Sequence, residues 1–497
     1  RPVVHMDRRS ALAPSRTAPL LPAPPRDRAG ALIAGASLML ALGAWLWVQH
    51  GVWDTAVGIN HVSGVIAALA DGLSRGETPG REVRALGLGT LYAPPFPALV
   101  AAVHELGASW LHALRIASVL TAAALGAAVV RATRTLGGGP VACAVAVAAL
   151  LTVFPVKLAT LAGRADLLAA AFTVAAFSAW QRDPAQRGWG APALAALAIL
   201  TKLTEATVPL AMVLTAAASR DAGGLSRFAS RFALCTLAGF VLLLPLHAPE
   251  WYREILVNMF LATPNVSHPL RGASELLRYS AAYSEIALIA AGTLFALRTR
   301  DETARRSAIA IGSALMIAMG VMSNRGADHN HLVTTLALAA AATGLAWDRV
   351  PRSAQALALL VCTGALWRDG QSFARQMHQP IEIRTNIVQA IRSEPGAVLS
   401  EDPLLALMAG RTPVIADAGT IRARARLGDP RSRAVVEQVR RRAFALIVLR
   451  IETEGRGLEW YRDFQFGTDF ATAVQQQYQK TEWVDGYWLY RPLAAHP

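Results

Sequence analysis

Acidic and basic residues stand in this chain where an apolar sequence tolerates them least. Asp54 comes one helical turn after the apolar stretch 31–48, with no lysine or arginine beside it to neutralise it. A carboxylate there is costly unless it faces water or a polar site. It reads either as a helix-terminal carboxylate at the interface or as a general base. Arg164-Ala165-Asp166 opens another apolar run on the side expected for Asp54. Two carboxylates facing one external cavity suit acid–base work, one taking an acceptor proton while the other orients the reactants. Arg164 is either half of a surface ion pair of little energetic value or a guanidinium shaped for phosphate. Lys202, between two short apolar runs, is either a snorkelling side chain or a point charge for a phosphate. Arg81 and Arg84 in the first loop and Arg271 in a later one offer further phosphate contacts, although most loop arginines face solvent.

His329, Asn330 and His331 follow Asp328 directly. By composition they resemble a metal cluster, with His247 and His268 as further ligands, but adjacent residues cannot all turn to one ion. No DxD pair lies near the first two external loops, which argues against an obligatory metal–diphosphate mechanism. Neither a P-loop nor a convincing dinucleotide glycine motif occurs. No cofactor is implied; a divalent cation near these histidines is the remaining option. The three cysteines, Cys143, Cys235 and Cys362, all lie in apolar runs, where a thiol acts as a small hydrophobe.

The elements that must position these groups are membrane helices. Hydrophobic residues make up 54% of the 497, charged ones 16%, and the mean hydropathy is +0.35, the composition of a polytopic membrane protein. The net charge of +14 sits in short arginine clusters between apolar runs, which fits cytoplasmic loops rather than nucleic-acid binding. Only Lys157, Lys202 and Lys480 are lysines, so the two near membrane segments draw notice. Spans are expected at 31–48, 110–130, 141–156, 167–180, 191–200, 206–218, 232–246, 281–297, 307–322, 332–347 and 354–367, about 11–13 in all if the proline-rich segment 86–106 crosses twice rather than not at all. Alternation puts Arg131, Arg182, Arg220, Arg298 and Arg349 on one side, and Asp54, Asp166, Lys202 and His329 on the other. Residues 61–73 read as an amphipathic helix in the outer interface. The chain thus divides into a disordered cytoplasmic tail, 1–29, a transmembrane domain, 30–368, and a periplasmic α/β domain, 369–497, of about 125 residues. Strands are expected there at 397–399, 413–415, 444–449 and 486–490, the third covered on both faces, with a helix at 431–442.

The Asp54 loop, Tyr92-x-Pro94-x-x-Pro97, Arg164-x-Asp166, Lys202-x-Thr204 and the run from Gly326 to His331 recur in one order on one expected side. In these motifs most of 31–367 resembles the C-fold (GT-C) glycosyltransferases of the family 39 type, which include protein O-mannosyltransferases and the bacterial lipid A aminoarabinose transferase. The resemblance implies a sugar donor on polyprenyl phosphate and a lipid, glycan or protein acceptor. It implies Asp54 as base, Asp166 as second carboxylate, and Lys202, Arg164, Arg81, Arg84 and Arg271 around the phosphate. Tyr92, His329 and Asn330 would line the pocket. Here Thr55 follows Asp54 where many relatives have a second acidic residue, and Leu203 stands where Pro is common. The expected protein is an inverting glycosyltransferase of the bacterial inner membrane. The alternatives from other classes are a transporter or flippase for a lipid-linked glycan and a non-catalytic assembly protein.

Overall fold

The computed structural model describes residues 28–54, 61–77, 90–246, 248–262, 271–298, 302–323, 329–378 and 385–494. Arg81, Arg84, Asp328, His247, His268 and nearly all of the expected tail lie outside the described residues. The chain is a polytopic α-helical membrane protein with a small C-terminal α/β domain.

Every expected span falls on helix. Arg28–Val52, Trp110–Thr135, Ala222–Leu242 and Glu302–Met322 are each long and apolar enough to cross a bilayer alone. The shorter apolar helices, among them Asp166–Arg182, Gly190–Thr201, Thr207–Ser219 and Val333–Ala346, fill the bundle between them. Its interior is largely alanine, and small residues bring backbones close. At Gly344, for instance, a Cβ would stand 3.1 Å from the Ala146 side chain.

The stretch read as one span at 141–156 is broken. Pro140–Thr152 and Phe154–Ala162 meet at Val153 with a 65° bend. Pro155 has no N–H to continue the helical ladder, so a new helix starts around it. In the proline-rich segment, Pro95–Glu105 is a helix of 11 residues, about 16 Å at 1.5 Å per residue and too short to cross.

The helix His61–Ser74 corrects a second expectation. Rather than lying in the lipid interface, it is buried from Val62 to Gly72. The membrane-side helices Pro95–Glu105 and Trp110–Thr135 pack on one side and Leu404 and Leu407 of the C-terminal domain on another. Gly64 permits the approach: a Cβ there would lie 2.9 Å from Pro403 Cδ and collide with the Asp402 carboxylate.

The C-terminal domain is built on a four-stranded sheet, β1 Val398–Ser400, β2 Leu446–Leu449, β3 Tyr478–Val484 and β4 Tyr487–Pro492, in the order β1-β2-β4-β3. β1 and β2 are parallel and the other pairings antiparallel. β2 is covered on both faces as expected, with Ile447 and Leu449 in one apolar cluster and Leu446 and Val448 in another. The segment 413–415 is not a strand, whereas β3 was not anticipated. Its exposed Gln479, Lys480 and Glu482 mark a protected sheet edge. Asp485 and Gly486, both at positive φ, make the tight turn into β4.

Candidate functional site

Asp166 is the first residue of the helix Asp166–Arg182. The preceding helix ends at Gly163 in the left-handed conformation (φ 62°), where the Leu114 side chain lies 3.0 Å from the place of a Cβ. That turn buries Arg164 and Asp166 together at one end of the bundle. Lys202 caps the C-terminus of Gly190–Thr201. Its Nζ donates to Asp166 Oδ1 at 2.5 Å and lies 3.1 Å from His331 Nδ1. Asn330 Nδ2 donates to the same Asp166 oxygen at 2.7 Å. Residues from three separate helix ends thus meet on one carboxylate.

A second polar layer lies beneath. Buried Glu205 accepts from Thr334 Oγ1 at 3.0 Å and from Thr173 Oγ1 at 3.4 Å. Thr173 is on the Asp166 helix and Thr334 on the helix after His331, so this layer fixes the same two elements that the Asp166 bonds join. Lys157 is also buried, on the short helix Phe154–Ala162 that packs against the turn His329–Leu332.

Asp54 has different surroundings. Its side chain is 72% exposed, and Oδ1 is 2.8 Å from His112 Nε2. His112 Nδ1 lies 2.9 Å from Ser109 Oγ, which also caps the helix Trp110–Thr135, and the imidazole stacks on Trp53. No described contact joins the two carboxylates, but their segments share a cation. Buried Arg115 donates to the Leu161 carbonyl at 2.5 Å and to the Val52 carbonyl at 3.4 Å. Both carboxylates therefore occupy the same end of the bundle, one buried and one exposed.

The other sequence candidates divide. Tyr92 is half-buried, with its carbonyl accepting from Trp251 Nε1 at 2.7 Å. Burial, and then the nearby Asp417 carboxylate, push its hydroxyl above the ordinary range for a tyrosine, and Arg164 opposes them. His329 packs edge-on against Tyr279 at 4.2 Å. Arg271 opens the helix that carries Tyr279, about two turns before it, and no described bond joins it to the cluster. Among the described residues no group of three or more His, Cys, Asp or Glu is arranged to hold a metal ion. Sequence reasoning missed His112 and the Glu205 layer. The signals were a serine three residues before His112, the Glu205 carboxylate close after Lys202 and two threonines inside apolar helices.

No family model and no curated protein matches the sequence. Solved structures do match. ArnT from Cupriavidus metallidurans bound to undecaprenyl phosphate superposes with a TM-score of 0.60 at 13% identity, over 93% of this chain and 99% of that one. In its apo state the same protein gives 0.61 at 14% identity, over 92% and 99%. The chain has the GT-C fold.

Proposed function

We propose that this membrane protein is an inverting glycosyltransferase that moves a sugar from a polyprenyl-phosphate carrier to an acceptor at the outer face of a bacterial inner membrane. The C-terminal domain lies on that same face in this reading. The observation that carries it is the Asp166–Lys202–Asn330–His331 cluster, placed at the end of a bundle with the fold of a protein solved with undecaprenyl phosphate.

In this reading the carrier's tail stays in lipid while its phosphosugar reaches the cluster. Asp54 is the base, because it is the carboxylate open to solvent. It takes the acceptor hydroxyl proton as that oxygen attacks the anomeric carbon opposite the phosphate. The bond from that carbon to the phosphate oxygen breaks, and polyprenyl phosphate leaves. One displacement with one base gives inversion. Lys202 and Arg164, with Arg81, Arg84 and Arg271 as further candidates, meet the negative charge that grows on the leaving phosphate. Asp166 and Asn330 hold Lys202 in place rather than take the proton, and Tyr92 and His329 line the approach.

The test is incubation of the purified protein in lipid with labelled polyprenyl-phosphate sugars and membrane extract, followed by mass spectrometry. A product one sugar heavier, with inverted anomeric configuration and release of polyprenyl phosphate, is expected. If every donor stays intact while a lipid-linked glycan crosses the bilayer, the protein is a transporter and the proposal fails.

A further inference from the structure

Beside the packing on His61–Ser74, the C-terminal domain bonds to the membrane domain through a buried arginine. Arg424, on the helix Ala418–Arg426, is 5% exposed. Its Nη2 donates to Glu254 Oε2 and its Nε to Asn258 Oδ1 at 2.7 Å. Glu254 and Asn258 are 4% and 0% exposed. They stand four residues apart where the helix Ala248–Leu256 passes into the π-helical turn Val257–Ala262, so one guanidinium grips both sides of that irregular turn. Around the ion pair, Ala416 of the C-terminal domain shares an apolar cluster with Trp251, Tyr252 and Ile255.

The gripped helix carries three bonds to the segments that bear site residues. Trp251 Nε1 donates to the Tyr92 carbonyl at 2.7 Å, Asn258 Nδ2 to the Thr90 carbonyl at 3.3 Å, and Tyr252 Oη to the Leu200 carbonyl. Leu200 precedes Lys202 by two residues in the same helix end, and the Lys202 amide closes that helix on Ala198. Hydrogen bonds therefore run from Arg424 through one helical segment to the backbones of Tyr92 and of Leu200, two residues before Lys202. The three bonds beyond Arg424's own are to backbone carbonyls, which transmit position rather than charge.

We infer that Arg424 is a positioning residue for the donor phosphate site: through Glu254 and Asn258 it sets the helix that fixes Tyr92 and Lys202, making the C-terminal domain part of the transfer machinery rather than a passive cover. The inference rests on the proposed transferase reading for its kinetic arm and on the geometry alone for its structural arm.

Three proteins in lipid nanodiscs decide it: wild type, Arg424→Ala, and the charge-swapped pair Arg424→Glu with Glu254→Arg. Hydrogen exchange read by mass spectrometry should rise in Arg424→Ala at 90–92, 200–202 and 251–258, and fall back in the swapped pair. In the transfer assay, Arg424→Ala should raise the donor KM about tenfold and leave the acceptor KM unchanged, with the swapped pair recovering most of the loss. A smaller active fraction lowers kcat alone, so that result overturns the inference, as does unchanged exchange at 90–92 and 200–202. A swapped pair that inserts and stays monodisperse without recovering either readout overturns it as well. If no donor is turned over by the wild type, the transferase reading fails, and the exchange data still decide whether Arg424 holds these segments.

Discussion

Asp166 has lost nearly all contact with solvent and accepts from an ammonium and an amide, whereas Asp54 keeps a side chain 72% exposed and a bond to one imidazole. The two lie at the same end of one bundle, where Arg115 bonds the carbonyls of Leu161 and Val52 in the segments that precede them. Their surroundings assign different work. Protonating Asp166 would weaken its attraction for Lys202 and remove an acceptor from Asn330, so it serves best as a fixed negative charge. Asp54 can accept a proton without dismantling anything buried. The proposed transfer uses both kinds of carboxylate, one that holds a cation and one that exchanges protons with a substrate.

The largest effect expected from this contrast is at Asp54. Asp54→Asn should lower transfer about 10²- to 10⁴-fold while binding of a polyprenyl-phosphate sugar, followed by thermal shift, stays near wild type. Full activity in Asp54→Asn together with its loss in Asp166→Asn would reverse the two roles.

Asp166→Asn should act first on stability. It leaves the Lys202 ammonium, 17% exposed, without its counter-charge, at a cost of about 3 kcal/mol. Adding Lys202→Met removes the stranded charge and should return most of the thermal stability without restoring turnover. If Asp166→Asn melts like wild type, the pair is held more weakly than its geometry indicates.

What the sequence made legible follows the same contrast. Asp166 and Lys202 stood out because hydropathy makes a charge at the end of an apolar run conspicuous, Asn330 because it lies in the polar run that resembles the family's motif, and alternation of the spans put them on one side. The bond pattern among them was not legible, because it depends on helix ends brought together from residues 166, 202 and 330. His112 was invisible for the opposite reason: a histidine in the first turn of a helix beside a polar N-cap is ordinary until a distant carboxylate arrives. The burial of His61–Ser74 depended on a surface supplied by Asp402–Leu407, more than 300 positions later, which no local periodicity contains. In the sheet, β2 was readable from its continuous apolar run. β3 was not, since an edge strand carrying Lys480 and Glu482 has the composition of a loop.

A third carboxylate sharpens the comparison, because Asp417 is buried and no ammonium among the described residues bonds to it. It caps the helix Ala418–Arg426 by accepting from Gly419 N at 2.9 Å. Burial pushes its carboxyl up to about 6, against the Gly419 and Thr420 amides and the Arg422 charge. The folded protein then holds a proton between about pH 4 and pH 6 that the unfolded chain has released, so stability falls as pH rises through that window and levels off above it. Asp417→Asn keeps a good capping acceptor and removes the titration. Its melting temperature should lose this pH dependence, with a gain of about 3 kcal/mol above pH 7. An unchanged slope would mean that Asp417 is already ionised in the fold at pH 4.

The smallest effect is expected at His112 and bears most directly on how an exposed carboxylate would serve as the proposed base. An exposed side chain samples many rotamers, and transfer needs one of them; the 2.8 Å bond to His112 Nε2 selects it, with Ser109 fixing the far side of the ring at 2.9 Å. His112→Ala leaves the base present but unaimed, so kcat should fall about tenfold with the donor KM unchanged. His112→Gln, which offers an amide N–H to Asp54, should recover part of that, and Ser109→Ala should cost less than His112→Ala. Were His112→Ala as damaging as Asp54→Asn, the imidazole would itself be taking the proton, and the carboxylate would be orienting it, as in triads where an aspartate holds a histidine. Equal activity in His112→Ala and wild type would instead show that the acceptor, once bound, aims Asp54 without help from the protein.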